Sequence, residues 1–310
     1  MELFGNQNHS IWTEKYRPST LENYIGNEHI VEKVKIYLKN NDIPHLLFYG
    51  SAGTGKTTIA KIITNSIECD VMYINASDEN SVDTVRTKIK NFASTAGFKP
   101  LKVIICDEFD FMTANGQAAL RNLMETFSKT TRFILTCNYI EKVIDPIQSR
   151  CQTFSVKPPS RKDVCIHAAD ILRKENIEFN PEDILTIVNV CYPDIRKVIN
   201  SCQKQVLDGK LIIDKQSLVE SNYMTKVLEL LKLKNDKNKK LVDIRQLIAD
   251  SQVRSFEPFY RFLFDNIDEF AKGNESSAIL IIAEYCYFDS LVVDKEINCM
   301  AMLIKLVREL

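Results

Sequence analysis

The sequence predicts an α/β domain, in which helices cover a mostly parallel sheet, followed by a small helical domain and a larger all-α domain. Short apolar, β-rich runs alternate with helical patterns as far as Val156. Pro158 and Pro159 then interrupt the chain, and every later segment has the pattern of a helix. We therefore expect domain limits at 1–157, 158–212 and 213–310.

Five apolar runs predict the strands of the sheet: His45–Tyr49, Val71–Asn75, Leu101–Cys106, Arg132–Cys137 and Gln152–Val156. Between them the apolar spacing predicts helices over Glu28–Lys39, from the glycine-rich loop at 50–57 onward, over Asp83–Ala93 and over Ala114–Ser128. Asn27 is expected to cap the first of these helices.

The next segment has the start and stop signals of three helices. Ser160 with Asp163 forms a capping-box pattern, and Asn180–Asp183 is a strong helix start. A third helix is expected from about Pro193 to Leu207, ending before Gly209. The last hundred residues predict about five helices and carry no catalytic motif.

Composition limits the class of protein without fixing its function. The 310 residues are 45% hydrophobic and 26% charged, with a net charge of −1, which neither indicates nor excludes nucleic-acid binding. No apolar run is long enough to span a bilayer, and Met1–Ser10 lacks a signal pattern, so we expect a cytoplasmic protein. The nine cysteines include no C-x-x-C pair, which argues against a zinc ribbon or a redox motif.

Gly50–Thr57 matches the phosphate-binding pattern G-x-x-x-x-G-K-T between a predicted strand and a predicted helix. Its glycines allow backbone N–H groups to approach phosphates, and the helix N-terminus adds partial positive charge. Lys56 is expected to contact the β- and γ-phosphates of ATP, and Thr57 to ligate Mg²⁺. The alternative is a tight turn that matches the pattern by chance.

Acidic and amide side chains follow the next strands. Asp107 and Glu108 end an apolar strand, where Asp107 is expected to hold Mg²⁺ and Glu108 to orient the attacking water. Asn138 follows another strand and is a candidate contact for the γ-phosphate or the water. Taken alone, the acidic pair also suits a solvated strand end, and Asn138 suits a turn.

In this order, the motifs resemble those of the AAA+ ATPases, and among them the sliding-clamp loaders. The residues that carry the resemblance are the P-loop and five further motifs: Trp12–Pro18, Asn75–Asp78, Asp107–Asp110, Ser149–Cys151 and Pro193–Lys197. Asn91–Ser94 and the chain length favour the T4-type bacteriophage clamp-loader large subunit, while an archaeal or eukaryotic replication factor C small subunit remains open.

The resemblance implies roles that spacing alone does not provide. It implies that the N-terminal box and Ile25 border the adenine. The box residues are Thr13, Glu14, Lys15, Tyr16 and Arg17. The loop residues Gly53, Thr54, Gly55 and Thr58 complete the nucleotide contacts. It further implies that Arg196 reaches the phosphates from the second domain, and that Arg150 is an arginine finger for a neighbouring subunit's nucleotide.

The same resemblance implies contacts with primer–template DNA and with the sliding clamp. Arg86, Lys88 and Lys90 are the candidate phosphate contacts, although a solvated helix face also explains these lysines. Gln117 and Arg121 lie four residues apart and are candidates for coupling DNA to Glu108, or are an ordinary surface pair. Phe92–Phe98 is a candidate part of the clamp contact, or a helix end packed on its own core.

The function implied is that of an ATPase subunit of a clamp loader, in a ring of other clamp-loader subunits that is expected to be pentameric. Two alternatives remain: another AAA+ DNA motor, such as a helicase loader or branch-migration motor, or a non-hydrolysing structural subunit. The N-terminal box and Ser149–Cys151 argue against the first alternative. Intact Lys56, Asp107, Glu108 and Asn138 argue against the second.

Overall fold

The computed structural model describes residues 11–213, 215–233, 236–251, 253 and 255–309, with the backbone alone for 215–222. The prediction for Met1–Ser10 therefore lies outside the described residues. The chain forms two compact units, which meet in sequence between Ile212 and Ile213.

A five-stranded parallel sheet forms the centre of the first unit, as the α/β prediction requires. Its strands are β1 Leu46–Tyr49, β2 Cys69–Asn75, β3 Leu101–Asp107, β4 Thr131–Cys137 and β5 Gln152–Ser155. Their order across the sheet is β2-β3-β4-β1-β5. Because β1, β3 and β4 are adjacent and parallel, the residues that follow them meet at one edge of the sheet.

Helices precede β1 and fill the intervals between the strands. They are α1 Trp12–Lys15, α2 Glu28–Asn40, α3 Lys56–Ser66, α4 Val82–Thr84, α5 Lys90–Ser94, α6 Ala114–Thr126 and α7 Asp145–Gln148. The π-helix Val85–Ile89 joins α4 to α5, so one continuous helical segment occupies the predicted range 83–93. Short 3-10 turns lie at Leu21–Asn23, Phe109–Phe111 and Ile140–Lys142.

Two apolar layers hold the sheet between its helices. On one face, Ile30 of α2 and Ile59 of α3 share a buried cluster with Phe48 of β1. On the other face, buried side chains of α6, β1 and β4 form a second cluster: Leu120, Met124, Leu47 and Phe133. Burial on both faces explains why these strands appear in the sequence as nearly continuous apolar runs.

Asn27 does not cap α2 with its side chain. It adopts a left-handed backbone conformation, with φ of 54°. Its amide instead donates to the carbonyl of Lys157 (2.8 Å) and accepts from the N–H of the same residue (2.9 Å). Asn27 therefore joins the start of α2 to the segment after β5.

Three helices follow β5, namely α8 Arg161–Lys174, α9 Pro181–Cys191 and α10 Ile195–Lys204. The Ser160 hydroxyl accepts from the N–H of Asp163 (3.1 Å), as the capping-box pattern predicts. The predicted helix up to Leu207 is wrong, because α10 ends at Lys204 and the hairpin β6 Val206–Leu207 and β7 Lys210–Leu211 follows. Asp208 and Gly209 both have positive φ, as a two-residue hairpin turn requires.

The second unit contains six helices in its described part, one more than predicted. They are α11 Lys215–Lys232, α12 Lys237–Ser251, α13 Glu257–Asp265, α14 Ile267–Phe270, α15 Glu275–Asp289 and α16 Lys295–Glu309. The additional helix arises because α13 ends at Asp265 and one further turn, α14, follows after Asn266. Buried residues of this unit form a core of their own, including Tyr223, Phe259, Tyr260 and Met302. Within the described ranges, no helix is long and apolar enough to cross a membrane.

Candidate nucleotide-binding site

The loop between β1 and α3 folds tightly against the last strand. Gly50 has φ of 145°, and a Cβ atom built there would lie 2.4 Å from the carbonyl oxygen of Val156. Gly55 has φ of 98° and directly precedes α3. Glycine is therefore required at both positions, and the loop presents backbone N–H groups at the N-terminus of α3.

Lys56 is nearly buried beneath this loop. Its ammonium group donates to the carbonyls of Gly50 (2.8 Å) and Ser51 (2.7 Å) and to Oδ1 of Asn138 (2.9 Å). Burial lowers the pKa of Lys56. The contact with Lys56 places Asn138, which follows β4, in the same site as the lysine.

Asp107 is the most heavily hydrogen-bonded group of the site. The Thr57 hydroxyl donates to both of its carboxylate oxygens (2.8 and 3.0 Å), and the Tyr73 hydroxyl donates to Oδ2 (2.6 Å). The Thr136 hydroxyl donates to Oδ1. Thr57 and Asp107 thus place hard oxygen donors side by side, a donor set that fits Mg²⁺.

Glu108 has a strained backbone next to this carboxylate. Its φ of 53° lies in the left-handed region, which costs a non-glycine residue about 1–2 kcal/mol. Its N–H donates to the Thr136 hydroxyl (3.2 Å). Such strain concentrates at functional sites, and here it accompanies a carboxyl residue at the rim of a cavity.

We call this space the phosphate-side cavity. It is lined by Glu14, Arg17, Ala52, Gly53, Lys56, Thr57, Lys61, Tyr73, Asp107, Glu108, Thr136, Cys137, Asn138 and Arg196. Four of the predicted catalytic residues, from β1, β3 and β4 and their following loops, therefore share one cavity.

We call the three helices α8–α10 the helical lid. A second space adjoins the same loop, and we call it the lid-side cavity because residues of α8 and α10 line it. Its lining residues are Thr13, Tyr16, Arg17, Pro18, Tyr24, Ile25, Gly53, Thr54, Gly55, Thr58, His167, Ile195, Arg196 and Ile199. Most of the residues that the resemblance assigns to the nucleotide lie here, and Arg17 and Arg196 line both cavities.

Two members of the N-terminal box, Glu14 and Lys15, do not line the lid-side cavity. Glu14 lines the phosphate-side cavity and pairs with Arg17, so it does not border the lid-side cavity. Lys15 lines neither of these two cavities, but it lines an adjoining cavity together with Tyr16, Arg17 and Ile25. Its ammonium group pairs with Glu175 at 2.6 Å.

Arg150 lies outside both cavities of its own chain. Its guanidinium group forms an ion pair with Glu125 and donates to the carbonyl of Pro146 (2.7 Å). The structure therefore does not bring Arg150 together with Lys56, and its assignment as a finger for another subunit stays a prediction.

The predicted DNA contacts are separated by the structure. Arg86 and Lys90 line an open groove between the 82–94 helical segment and α6, and Arg121 lines the same groove. Lys88 instead pairs with Glu79 at 2.6 Å. The grouping of Arg86 with Arg121 was not evident from the sequence, because the two residues belong to different helices.

Gln117 is buried, and its side chain bridges α6 to two other segments. Its amide donates to the carbonyls of Met112 and Lys142 (3.0 Å each) and accepts from the N–H of Ile144 (2.9 Å). It thereby connects α6 to the segments that follow β3 and β4, which carry Glu108 and Asn138. In the predicted clamp contact, the Phe98 side chain is fully exposed.

Sequence reasoning missed several residues that line the two cavities: Tyr24, Lys61, Tyr73, Thr136 and His167. Thr136 lies on β4 two positions before Asn138, which follows the strand. Because side chains two residues apart along a strand point to the same face, this spacing is a usable signal. Tyr73 lies on β2 and Lys61 one turn into α3, and only the fold brings them to Asp107.

Comparison with known proteins agrees with the geometry. The model of the AAA family, ATPases associated with various cellular activities, matches residues 46–159. The replication factor C small subunit of Archaeoglobus fulgidus is 40% identical over 213 residues, which cover 66% of this chain and 67% of that protein. The chain belongs to the replication factor C small-subunit family. The family member from Sulfolobus acidocaldarius is 43% identical over 211 residues, or 66% of this chain and 65% of the relative.

The match with the replication factor C small subunits spans about two-thirds of their length. Solved structures of Thermotoga maritima RuvB variants are similar in fold, with TM-scores of 0.57 and 0.55 at 16% identity. They cover 94% and 83% of this chain, and the chain covers 91% and 81% of theirs. At this identity the likeness shows the fold alone. The replication factor C relatives named here are archaeal, so a bacteriophage type stays a prediction.

Proposed function

We propose that the chain is an ATP-hydrolysing subunit of a sliding-clamp loader that acts in DNA replication. The observation that carries the proposal is the pair of contacts Lys56–Asn138 and Thr57–Asp107. They unite the loop after β1 with the ends of β3 and β4 in one cavity, in a chain of the replication factor C small-subunit family.

In this proposal the loop N–H groups and Lys56 bind the β- and γ-phosphates of ATP. The ammonium group now donates to two carbonyls and an amide, which are neutral acceptors. Exchange of one of them for an anionic phosphate oxygen pairs the ammonium group with an opposite charge, which gives a stronger hydrogen bond. Thr57 and Asp107 would hold Mg²⁺, which neutralises charge on the phosphates.

Hydrolysis requires a group that orients water and groups that respond to the γ-phosphate. Glu108 lines the phosphate-side cavity and is the proposed acceptor for the attacking water's proton. Asn138 accepts a hydrogen bond from the ammonium group of Lys56 and would release it when the γ-phosphate binds. Arg196 extends from the start of α10, so the helical lid would respond to the same phosphates.

The partners proposed are a sliding clamp, primer–template DNA and further subunits in a pentameric ring. Arg86 and Lys90, together with Arg121, would contact the DNA backbone from the open groove. The segment Phe92–Phe98 would contact the clamp.

Arg150 would leave Glu125 and contact the nucleotide bound to a neighbouring subunit. ATP binding would favour clamp opening, and DNA would trigger hydrolysis and release of the clamp.

The test is the steady-state ATPase rate of the full assembly, measured with the clamp, with primed DNA, with both and with neither. The proposal expects the highest rate with both together, because DNA and clamp complete the active arrangement. An assembly that carries Lys56→Ala serves as the control for contaminating ATPases. If clamp and primed DNA together do not raise the ATPase rate, the proposal is wrong.

A further inference from the structure

Lys61 adds a positive charge to the phosphate-side cavity. It lies on α3 four residues after Thr57, so the two side chains share one face of the helix. Both residues line the cavity, and Lys61 is only partly buried, so a ligand in the cavity can reach its side chain. The position lies outside the loop at 50–57 and outside every other motif that carries the family resemblance.

The ammonium group of Lys61 lies near the carboxylate proposed to hold Mg²⁺. Its nitrogen is 5.5 Å from the centre of the Tyr73 ring. The hydroxyl of this tyrosine donates to Oδ2 of Asp107 (2.6 Å), and the residue is 47% exposed and lines the same cavity. Lys61 therefore lies at the end of the cavity where the proposed function places Mg²⁺ and the phosphates that it bridges.

The charges around Lys61 favour an anionic ligand. Asp107 and Glu14 attract its ammonium group, whereas the guanidinium group of Arg17 repels it. Burial, with Arg17 nearby, lowers the pKa of Lys61, which means that the charged form lacks full compensation. Mg²⁺ held by Asp107 would offset the attraction of this carboxylate. A phosphate oxygen in the cavity would then supply the negative charge that the ammonium group needs.

We propose that Lys61 is a further phosphate contact within the chain, with its ammonium group donating to a triphosphate oxygen on the side that faces Asp107. The inference rests on the proposed function, which places the triphosphate in this cavity. A charge-assisted hydrogen bond is stronger than a cation–π contact with a half-exposed ring, so the ammonium group would exchange the Tyr73 ring for the phosphate. The flexible stem of lysine allows this exchange without movement of α3.

The experiment compares Lys61→Gln and Lys61→Met with the wild-type full-length chain. Calorimetry measures the binding of ATPγS with Mg²⁺ at about 50 mM and about 300 mM salt, since salt screens contacts between charges. At low salt we expect both variants to bind about 3- to 30-fold more weakly, the effect of one charge-assisted hydrogen bond at a partly exposed position. The difference from the wild-type chain should shrink at high salt.

Lys33→Gln is the matched control. Lys33 lies at an exposed position of α2 and lines neither the phosphate-side nor the lid-side cavity. This variant removes the same charge from the chain, so it measures the effect of net charge alone. Its affinity for ATPγS should equal that of the wild-type chain at both salt concentrations.

Two results would overturn the inference. The first is a wild-type affinity for ATPγS in either Lys61 variant at low salt; for Lys61→Met alone, it would show that the apolar stem against Tyr73 is what matters. The second is equal weakening at both salt concentrations, which a charged contact does not give. A wild-type chain that does not bind ATPγS would instead overturn the proposed function, so the two failures are distinguishable.

Discussion

At the scale of single residues, the two neighbouring carboxyl groups Asp107 and Glu108 have opposite surroundings. Asp107 accepts hydrogen bonds from the hydroxyls of Thr57, Tyr73 and Thr136, which fix its orientation. Glu108 sits on a strained backbone at the cavity rim. Such a difference suits a division of labour, with Asp107 as the metal ligand and Glu108 as the group that engages water.

Replacement of Glu108 tests this division. Glu108→Gln keeps the size of the side chain but removes the proton acceptor. We expect the stimulated ATPase rate to fall by about 10²–10⁴ while nucleotide affinity is retained. Rate and affinity are measured on the same assembly, with Glu182→Gln on the exposed face of α9 as the control. A variant with the normal rate would contradict the role of Glu108.

His45 makes the stability of the sheet depend on pH. Its Nδ1 accepts from the N–H of Phe133 (3.1 Å), so the ring is neutral in the fold. Burial, with Arg132 nearby, lowers the pKa of His45 from 6.5 to about 4. The unfolded chain therefore binds a proton first, and the contribution of neutral His45 to the free energy of unfolding is lost as pH falls from 6.5 towards 4.

We expect the thermal midpoint of the wild-type chain to fall between about pH 7.5 and about pH 5, and His45→Gln to reduce this fall. Calorimetry at both pH values measures the thermal midpoints. His29→Gln, at an exposed position of α2, should retain the wild-type fall. If His45→Gln retains it as well, His45 is not a source of the pH dependence.

At the scale of elements, the short helix α1 is tied to the lid helices. The ammonium group of Lys15 and the hydroxyl of Tyr16 both donate to Glu175 at the end of α8, each at 2.6 Å. The N–H of Trp12 donates to Gln203 of α10 (2.9 Å). Tyr16 also lines the lid-side cavity, so under the proposed function these contacts would link the position of the lid to nucleotide binding.

Removal of the shared acceptor tests this link. Glu175→Ala should weaken ATPγS binding about two- to five-fold, a modest effect because the ion pair is partly exposed. Fluorescent-nucleotide titration measures the change. Glu178→Ala removes only the exposed pair with Lys210 of the hairpin and should leave the affinity unchanged. If the wild-type chain and Glu175→Ala bind ATPγS with equal affinity, the contacts of Glu175 do not affect nucleotide binding.

The elements also show what sequence can and cannot predict. Buried parallel strands give apolar runs, and the loop at 50–57 is defined by its own residues, so the sheet and the core of the site were predictable. The hairpin after α10 was missed because its strands have two residues each. The contacts of Thr136 and Tyr73 with Asp107 depend on the strand order β2-β3-β4, which no local pattern contains.

At the scale of the whole molecule, the proposed active site is half of a site. Lys56, Thr57 and Glu108 share one cavity, whereas Arg150 of the same chain is bound to Glu125 outside it. An arginine finger contributes about 10³–10⁵ to the rate in related phosphoryl-transfer systems. We therefore expect hydrolysis to be a property of assembled subunits, in which each chain supplies a finger to the next.

Mixed assemblies test this claim most directly. Assemblies that carry only Glu108→Gln or only Arg150→Ala should both lose the ATPase activity stimulated by clamp and primed DNA, while both still bind ATP. When the two variants are mixed before assembly, activity should reappear, because a site with intact Glu108 then meets a neighbour with intact Arg150. A mixture as inactive as either variant alone, or an Arg150→Ala assembly with the wild-type rate, would contradict the account.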